Sequence, residues 1–274
     1  MQLSPDGLRY VRDLVYERAA IVLESGKEYL VEARLGPLAK EAGHGSVDEF
    51  LRNIAQKPDN GVHARVVEAM TTNETSFFRD IHPFEALAKQ ILPEFQKTRS
   101  IVRTLRVWCA ACSTGQEPYS LAMLIKDRVP QLAGFKIEIV ATDINNVVLD
   151  RAKSGRYRQH EVNRGLPAPM LYRHFTREDA DWVIKPYLRE MVDFRNLNLI
   201  APWIGMPSQV DIVFIRNVLI YFDVPTKKKI LGRVRNMLPN DGVLFLGGAE
   251  TTLNLDDGFV RAQESNASFY KLKQ

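Results

Sequence analysis

One stretch constrains this chain more than any other: Val107-Trp108-Cys109-Ala110-Ala111-Cys112-Ser113-Thr114-Gly115-Gln116-Glu117-Pro118-Tyr119-Ser120. Residues 105–110 are apolar enough to be covered on both faces, as a central parallel strand must be. Small residues follow, turn at Ser113-Thr114-Gly115, and give way to Leu121, Ala122, Leu124 and Ile125 at helical spacing. Pro118 suits a first helical turn, where its missing N–H is no loss. Strand, small-residue turn and helix make the cradle that α/β proteins present to nucleotides. An ordinary strand–turn–helix of an α/β core has the same local pattern.

The chemistry of the turn narrows the ligand. A dinucleotide fingerprint would place glycines where Ala111 and Ser113 stand, and a P-loop would need Gly-Lys followed by Ser or Thr; only Gly115 is present. The loop need not bring its backbone against a pyrophosphate. That suits a nucleoside ligand without phosphates, such as S-adenosylmethionine. Cys109 and Cys112 are the only cysteines and form a C-x-x-C, a spacing used in redox sites and half-sites for zinc. With no second pair and five scattered histidines, two reduced thiols and no metal are expected. The net charge of +4 is modest, and no basic block with interleaved aromatics points to nucleic acid. The first residues lack the basic start and apolar run of a signal peptide, and no apolar stretch is long enough to span a bilayer. The expectation is a cytoplasmic protein with no direct membrane insertion.

Residues 4–70 carry four helical stripes, the third opened by Ser46 with Glu49 as a capping box. Thr71-Thr72-Asn73-Glu74-Thr75-Ser76-Phe77-Phe78-Arg79-Asp80 reads either as a polar loop or as the polar wall of a pocket. A helix is expected over 83–96 and a second strand over 136–142. Asp143 at its carboxyl end either grips a ribose hydroxyl pair or caps the helix starting near Asn145. Residues 155–188 break the α/β rhythm and read as an insertion. Strands follow over 191–196 and 210–215, the latter ending in Arg216-Asn217 at the end of a sheet where ligands bind. Tyr221 is either a core tyrosine or a site hydroxyl. A helix over 225–238, a strand over 243–246, the small-residue turn Gly247-Gly248-Ala249-Glu250 and a last, antiparallel strand over 268–272 at the sheet's centre or edge complete the chain.

Five of these segments, in this order and spacing, resemble the chemotaxis receptor methyltransferase family (CheR-type): residues 71–79, residues 112–120, Ala141-Thr142-Asp143-Ile144, Asn196-Leu197-Asn198-Leu199, and residues 214–222. The resemblance implies an α/β S-adenosylmethionine-dependent methyltransferase fold, Rossmann-like with a seven-stranded sheet, an N-terminal all-helical domain and a small inserted β subdomain. The divisions expected are 1–80 for the helical domain, 81–103 for a linker helix, and 104–274 for the α/β domain with its insertion at about 156–189. It implies methyl transfer from S-adenosylmethionine to glutamate side chains of methyl-accepting chemotaxis receptors, in sensory adaptation. By motif position Asn73, Thr75, Arg79, Glu117, Asp143, Asn198, Leu199, Arg216 and Asn217 would contact the cofactor, and Arg79 and Tyr221 would face the reacting centre. Some family members dock a receptor C-terminal peptide on a glycine-rich turn of the insertion. Residues 173–182 lack those glycines, so that tether is doubtful here. A monomer is expected. Lys27, Arg34 and Lys40 are either a stripe that meets acidic receptor helices or a solvated face.

Overall fold

The computed structural model describes residues 3–24, 26–59, 61–99, 101, 103–128, 132, 134–264 and 267–274. The chain divides into two compact units, Met1–Thr72 with Tyr221–Lys227, and Asn73–Ile220 with Lys228–Gln274. Ser100 and Val102 of the expected linker fall outside the described residues.

The first unit is helical. Helix α1 (Pro5–Ala19) opens on Ser4, whose Oγ accepts from the Gly7 N–H at 3.1 Å, with Pro5 at the first position. Helix α2 (Glu28–Glu41) buries Val31, Leu35 and Ala39, spaced four apart on one face. Ser46 caps α3 (Val47–Ala55) by accepting from the Glu49 N–H at 3.1 Å. The return bond of a capping box goes one residue further back: Glu49 Oε2 accepts from Gly45 N–H at 3.0 Å. Helix α4 (Val62–Met70) closes a core led by Val11, Val15, Leu35, Leu51, Val66 and Met70. The basic stripe is partly engaged within this unit. Lys27 pairs with Glu24 at 2.7 Å, and Arg34 donates to Met70 O at 2.6 Å and Thr72 Oγ1 at 2.9 Å, tying α2 to the end of α4.

The second unit begins with α5 (His82–Ala86) and α6 (Leu92–Thr98). These are one expected helix interrupted by a π-helical turn over Leu87–Ile91. Leu92 N–H reaches back five residues to Leu87 O, and Pro93 follows with no N–H to give, so the wider turn falls where the regular ladder is broken. The chain continues through β1 (Thr104–Ala110), α7 (Gln116–Arg128), β2 (Lys136–Asp143), α8 (Asn146–Ser154), β3 (Arg156–Arg158), α9 (Gln159–Val162), α10 (Ala168–His174), β4 (Phe175–Glu178), β5 (Asp181–Ile184) and α11 (Pro186–Arg189). It then runs through β6 (Val192–Asn196), β7 (Ile212–Ile215), α12 (Val224–Met237), β8 (Val243–Leu246), β9 (Phe259–Glu264) and β10 (Ala267–Leu272).

Seven strands form one sheet in the order β6-β2-β1-β7-β8-β10-β9. The first five are parallel, and Cys109 of β1 sits between Ala141 of β2 and Phe214 of β7. Strand β10 pairs antiparallel with both β8 and β9, so the C-terminal strand lies one place in from an edge. The insertion is a three-stranded antiparallel sheet, β3-β5-β4, with short helices around it. The core runs through Trp108, Leu105, Tyr119 and Phe269, with Phe214 and Phe245 stacked at 4.5 Å.

Candidate active site

The carboxyl ends of β1, β2 and β7 converge, and the loops leaving them carry most of the residues singled out by the sequence. Five of the eight non-glycine residues at positive φ among the described residues lie here: Phe78 (47°), Asp80 (57°), Ala111 (57°), Ser113 (51°) and Asn217 (59°). For a bulky residue such as Phe78 this conformation is a true outlier, and such strain persists only where neighbours over-determine it, typically at functional sites.

The neighbours are visible. Asp143 Oδ2 accepts from Ser113 N–H at 2.9 Å and its Oδ1 from Asn145 N–H at 3.0 Å. The cap of α8 is Asn145, whose Oδ1 accepts from Val147 and Val148 N–H, so the capping alternative for Asp143 does not hold. Ser113 Oγ donates to Asn73 O at 2.7 Å, bringing the 73–80 segment onto the β1–α7 turn. Phe78 N–H donates to Ser120 Oγ at 2.9 Å, a second tie between that loop and α7. Asn73 and Thr75 line a cavity of about 360 Å³ together with Thr114, Gln116, Val148 and Arg151.

A buried guanidinium links the other side. Arg216 Nη1 donates to Glu117 Oε2 at 3.0 Å, and Nη2 to Arg79 O at 2.9 Å and Asp80 Oδ2 at 2.7 Å. Arg79 itself is half-buried, with Nη1 donating to Glu74 O at 3.1 Å. Burial raises the Glu117 carboxyl above its ordinary range; Arg216 and Arg79 oppose the rise and Glu250 adds to it. Leu197 N–H donates to Asp143 O at 2.9 Å, which sets the Asn198-Leu199 loop beside the end of β2. Leu199 is buried, and its carbonyl accepts from Trp203 Nε1 and Arg233 Nη1. Tyr221 ends the 3-10 turn Leu219–Tyr221 and groups with the helical unit, where its carbonyl accepts from Val22 N–H at 2.9 Å. It is therefore not among the residues this unit brings together.

Three residues at the site carried no sequence signal of their role. Asp80 shares Arg216; Tyr157 of the insertion donates to Thr114 O at 2.7 Å; and Glu250, read only as part of a small-residue turn, binds backbone amides of the β7 loop. Burial pushes both thiols well above their usual range, and Cys109 and Cys112 are free and buried. No metal-binding cluster occurs among the described residues, and none of the described helices is long and apolar enough to cross a membrane.

The donor set fits a nucleoside sulfonium better than a phosphate ester. Carboxylates (Asp143, Glu117) and amides (Asn73, Asn217) are gathered here, and the Arg216 guanidinium is taken up by Glu117, Asp80 and Arg79 O. Gly115, at φ 93°, is not opened toward a ligand: a Cβ there would meet Ala152 Cβ at 2.9 Å and Tyr157 Oη at 3.1 Å. The glycine serves close packing under the turn.

Family comparison agrees with this chemistry. Residues 73–267 match the model of the CheR methyltransferase SAM-binding domain, and residues 6–71 that of the CheR methyltransferase all-alpha domain. The chain belongs to the CheR methyltransferase family. It is 42% identical over 268 residues to chemotaxis protein methyltransferase 1 of Pseudomonas aeruginosa, covering 96% of each chain. It is 40% identical to chemotaxis protein methyltransferase Cher2 of Pseudomonas putida, again over 96% of each. With the chemotaxis protein methyltransferase of Escherichia coli it shares 36% identity over 95% of this chain and 89% of that one. As a CheR methyltransferase it takes its methyl group from S-adenosylmethionine, and the fold expected for the family (helical N-terminal part, seven-stranded sheet, small β insertion) is the fold observed.

Proposed function

We propose that this CheR methyltransferase forms methyl esters on glutamate side chains of the cytoplasmic helices of chemoreceptors, serving adaptation, and that it acts in the cytoplasm as a monomer. The observation that carries the reading is the set of motif loops gathered around Asp143 and Arg216 in a chain that matches chemotaxis methyltransferases over nearly its full length. The helical bundle is assigned to recognition and the α/β part to chemistry.

The chemistry asks little of acid–base groups. A glutamate has an ordinary pKa of about 4.3 and is a carboxylate at neutral pH. When bound, S-adenosylmethionine supplies an activated methyl carbon. What the protein adds is alignment and the removal of water, worth about 7–11 kcal/mol for well-oriented reactants. Asn73, Thr75, Glu117, Asp143, Asn198, Leu199, Arg216 and Asn217 are assigned to holding the cofactor. Arg79 is assigned to it too, and to orienting the incoming carboxylate through a paired hydrogen bond. The Tyr221 hydroxyl is assigned to the reacting centre by its place in the motif. The β4–β5 hairpin turns through Asp179 and Ala180, with Asp179 at φ 51° and no glycine-rich stretch. On this reading receptor helices, not a C-terminal peptide, are the recognised element.

The deciding experiment is transfer of label from S-adenosylmethionine into receptor-bearing membranes. Label released as methanol by mild base is the expected result. Base-stable label would mean a nitrogen, sulfur or nucleobase acceptor and would overturn the glutamate assignment.

A further inference from the structure

Glu250 stands outside every motif to which a cofactor role has been assigned, yet its carboxylate makes the most concentrated set of backbone bonds at the site. Oε1 accepts from Val218 N–H at 2.9 Å and Leu219 N–H at 2.7 Å. Oε2 accepts from Asn217 N–H at 2.8 Å and Gly247 N–H at 2.6 Å. A carboxylate has about four acceptor positions, and four N–H groups occupy them. Three of these belong to the loop leaving β7, and the fourth to the first residue after β8. One side chain thus staples the exits of two adjacent parallel strands.

What it staples is strained and functional. Asn217 sits at φ 59°, and Arg216, immediately before it, is the guanidinium that joins Glu117, Asp80 and Arg79 O. Space is tight: a Cβ on Gly247 would fall 2.7 Å from Glu250 Oε2 and 2.8 Å from Asn217 N. Without the carboxylate the loop would carry several unpaired N–H groups and would relax away from its strained course.

The geometry points to Glu250 as a positioning residue of the cofactor site: it fixes the 217–219 backbone so that Arg216 and Asn217 meet S-adenosylmethionine. This rests on the assignment of those two residues to the cofactor. Glutamine is the sharp test, because it is nearly isosteric. Its one oxygen can serve two of the four amides, while its NH2 faces the other two donor to donor.

The measurement is calorimetric binding of S-adenosylhomocysteine to the full chain, with urea unfolding and amide hydrogen exchange alongside. Glu250→Gln is expected to weaken binding tenfold or more while remaining folded, with faster exchange at residues 217–219 and 247 and unchanged protection in β7 and β8. An affinity within twofold of the parent, or a loss accounted for by the unfolded fraction, would overturn the inference. If Glu250→Gln does not fold, Glu250→Asp, which keeps the charge but is one methylene shorter, is read in the same way. Failure of both to fold would make Glu250 a fold determinant and would equally overturn it. Asn217→Ala in the same titration separates the two levels. If Asn217→Ala binds weakly and Glu250→Gln normally, the positioning role fails alone. If both bind normally, the underlying assignment fails.

Discussion

Replacing Tyr157 by phenylalanine tests how the insertion supports the β1–α7 turn. The side chain is fully buried, and its hydroxyl donates to Thr114 O at 2.7 Å. The ring packs edge-on against Phe77 at 5.0 Å and against Phe175 and Tyr119, each at 6.4 Å. Phenylalanine keeps those contacts and removes one oxygen, so the change isolates the hydrogen bond. Left behind is the Thr114 carbonyl, whose loss of a buried partner costs about 1–3 kcal/mol. For a unit of this size each kcal/mol lowers Tm by about 2–4 °C. Alanine would in addition open a cavity, for a total of about 3–5 kcal/mol. Burial holds the Tyr157 pKa well above its ordinary value, so the hydroxyl remains a donor at any working pH. The assay is urea unfolding followed by tryptophan fluorescence, because all three tryptophans, Trp108, Trp182 and Trp203, lie in the α/β unit. A Tyr157→Phe variant within about 0.3 kcal/mol of the parent, the usual additivity error, would refute the reasoning.

Gly165→Ala should reduce stability by at least about 3 kcal/mol or abolish soluble expression, because a Cβ there would lie 2.0 Å from Phe77 O at φ 85°; ordinary yield and urea midpoint would contradict the packing described. Asp143→Ala should weaken S-adenosylhomocysteine binding without unfolding the chain, and calorimetry showing unchanged affinity would remove Asp143 from the site. Arg79→Ala and Tyr221→Phe should each lower turnover more than cofactor affinity, and normal turnover in either would end that residue's role at the reacting centre. Glu117, with its pKa raised mainly by burial, binds its proton more tightly folded than unfolded; stability from this group is therefore full below the ordinary carboxylate pKa and falls as pH rises toward the raised value. Against Glu117→Gln, the parent's unfolding free energy should decline with pH through that window, and a difference that is flat or rising would contradict the sign.

The parts of this protein legible in its sequence are those where burial writes a pattern. The carboxyl-terminal halves of β1 and β2, and all of β7, are buried on both faces, and the acid and amide side chains that end or follow them, Asp143 and Asn217, stand out against that background. Strand β9 is different. It is an edge strand whose Val260, Arg261 and Gln263 are exposed, so no period survives to mark it. The π-turn over Leu87–Ile91 leaves the apolar spacing nearly unchanged, and only Pro93 hints at it. Tyr157 and Glu250 act on backbone carbonyls and amides, groups every residue carries, so nothing in the partner segments advertises the bond.

The β1–α7 turn keeps the backbone course of a glycine-rich turn without its glycines. Ala111 and Ser113, where a dinucleotide fingerprint would have glycine, take the left-handed conformation, at φ 57° and 51°. Each such residue carries a strain of about 1–3 kcal/mol, which persists only where its surroundings hold it. Here they do: Cys112 N–H donates to Thr142 O at 2.9 Å, Asp143 accepts from Ser113 N–H, and Tyr157 holds Thr114 O. The backbone course is thus kept without the glycines, and the side chains then become usable. Ser113 Oγ reaches Asn73 O and joins a loop that a glycine there could not have held by a side chain. A phosphate binder needs bare backbone at these positions so that amides can approach the anion. A cradle for a ligand without phosphates is free of that demand, and this one uses the same positions to fasten Asn73 to the turn.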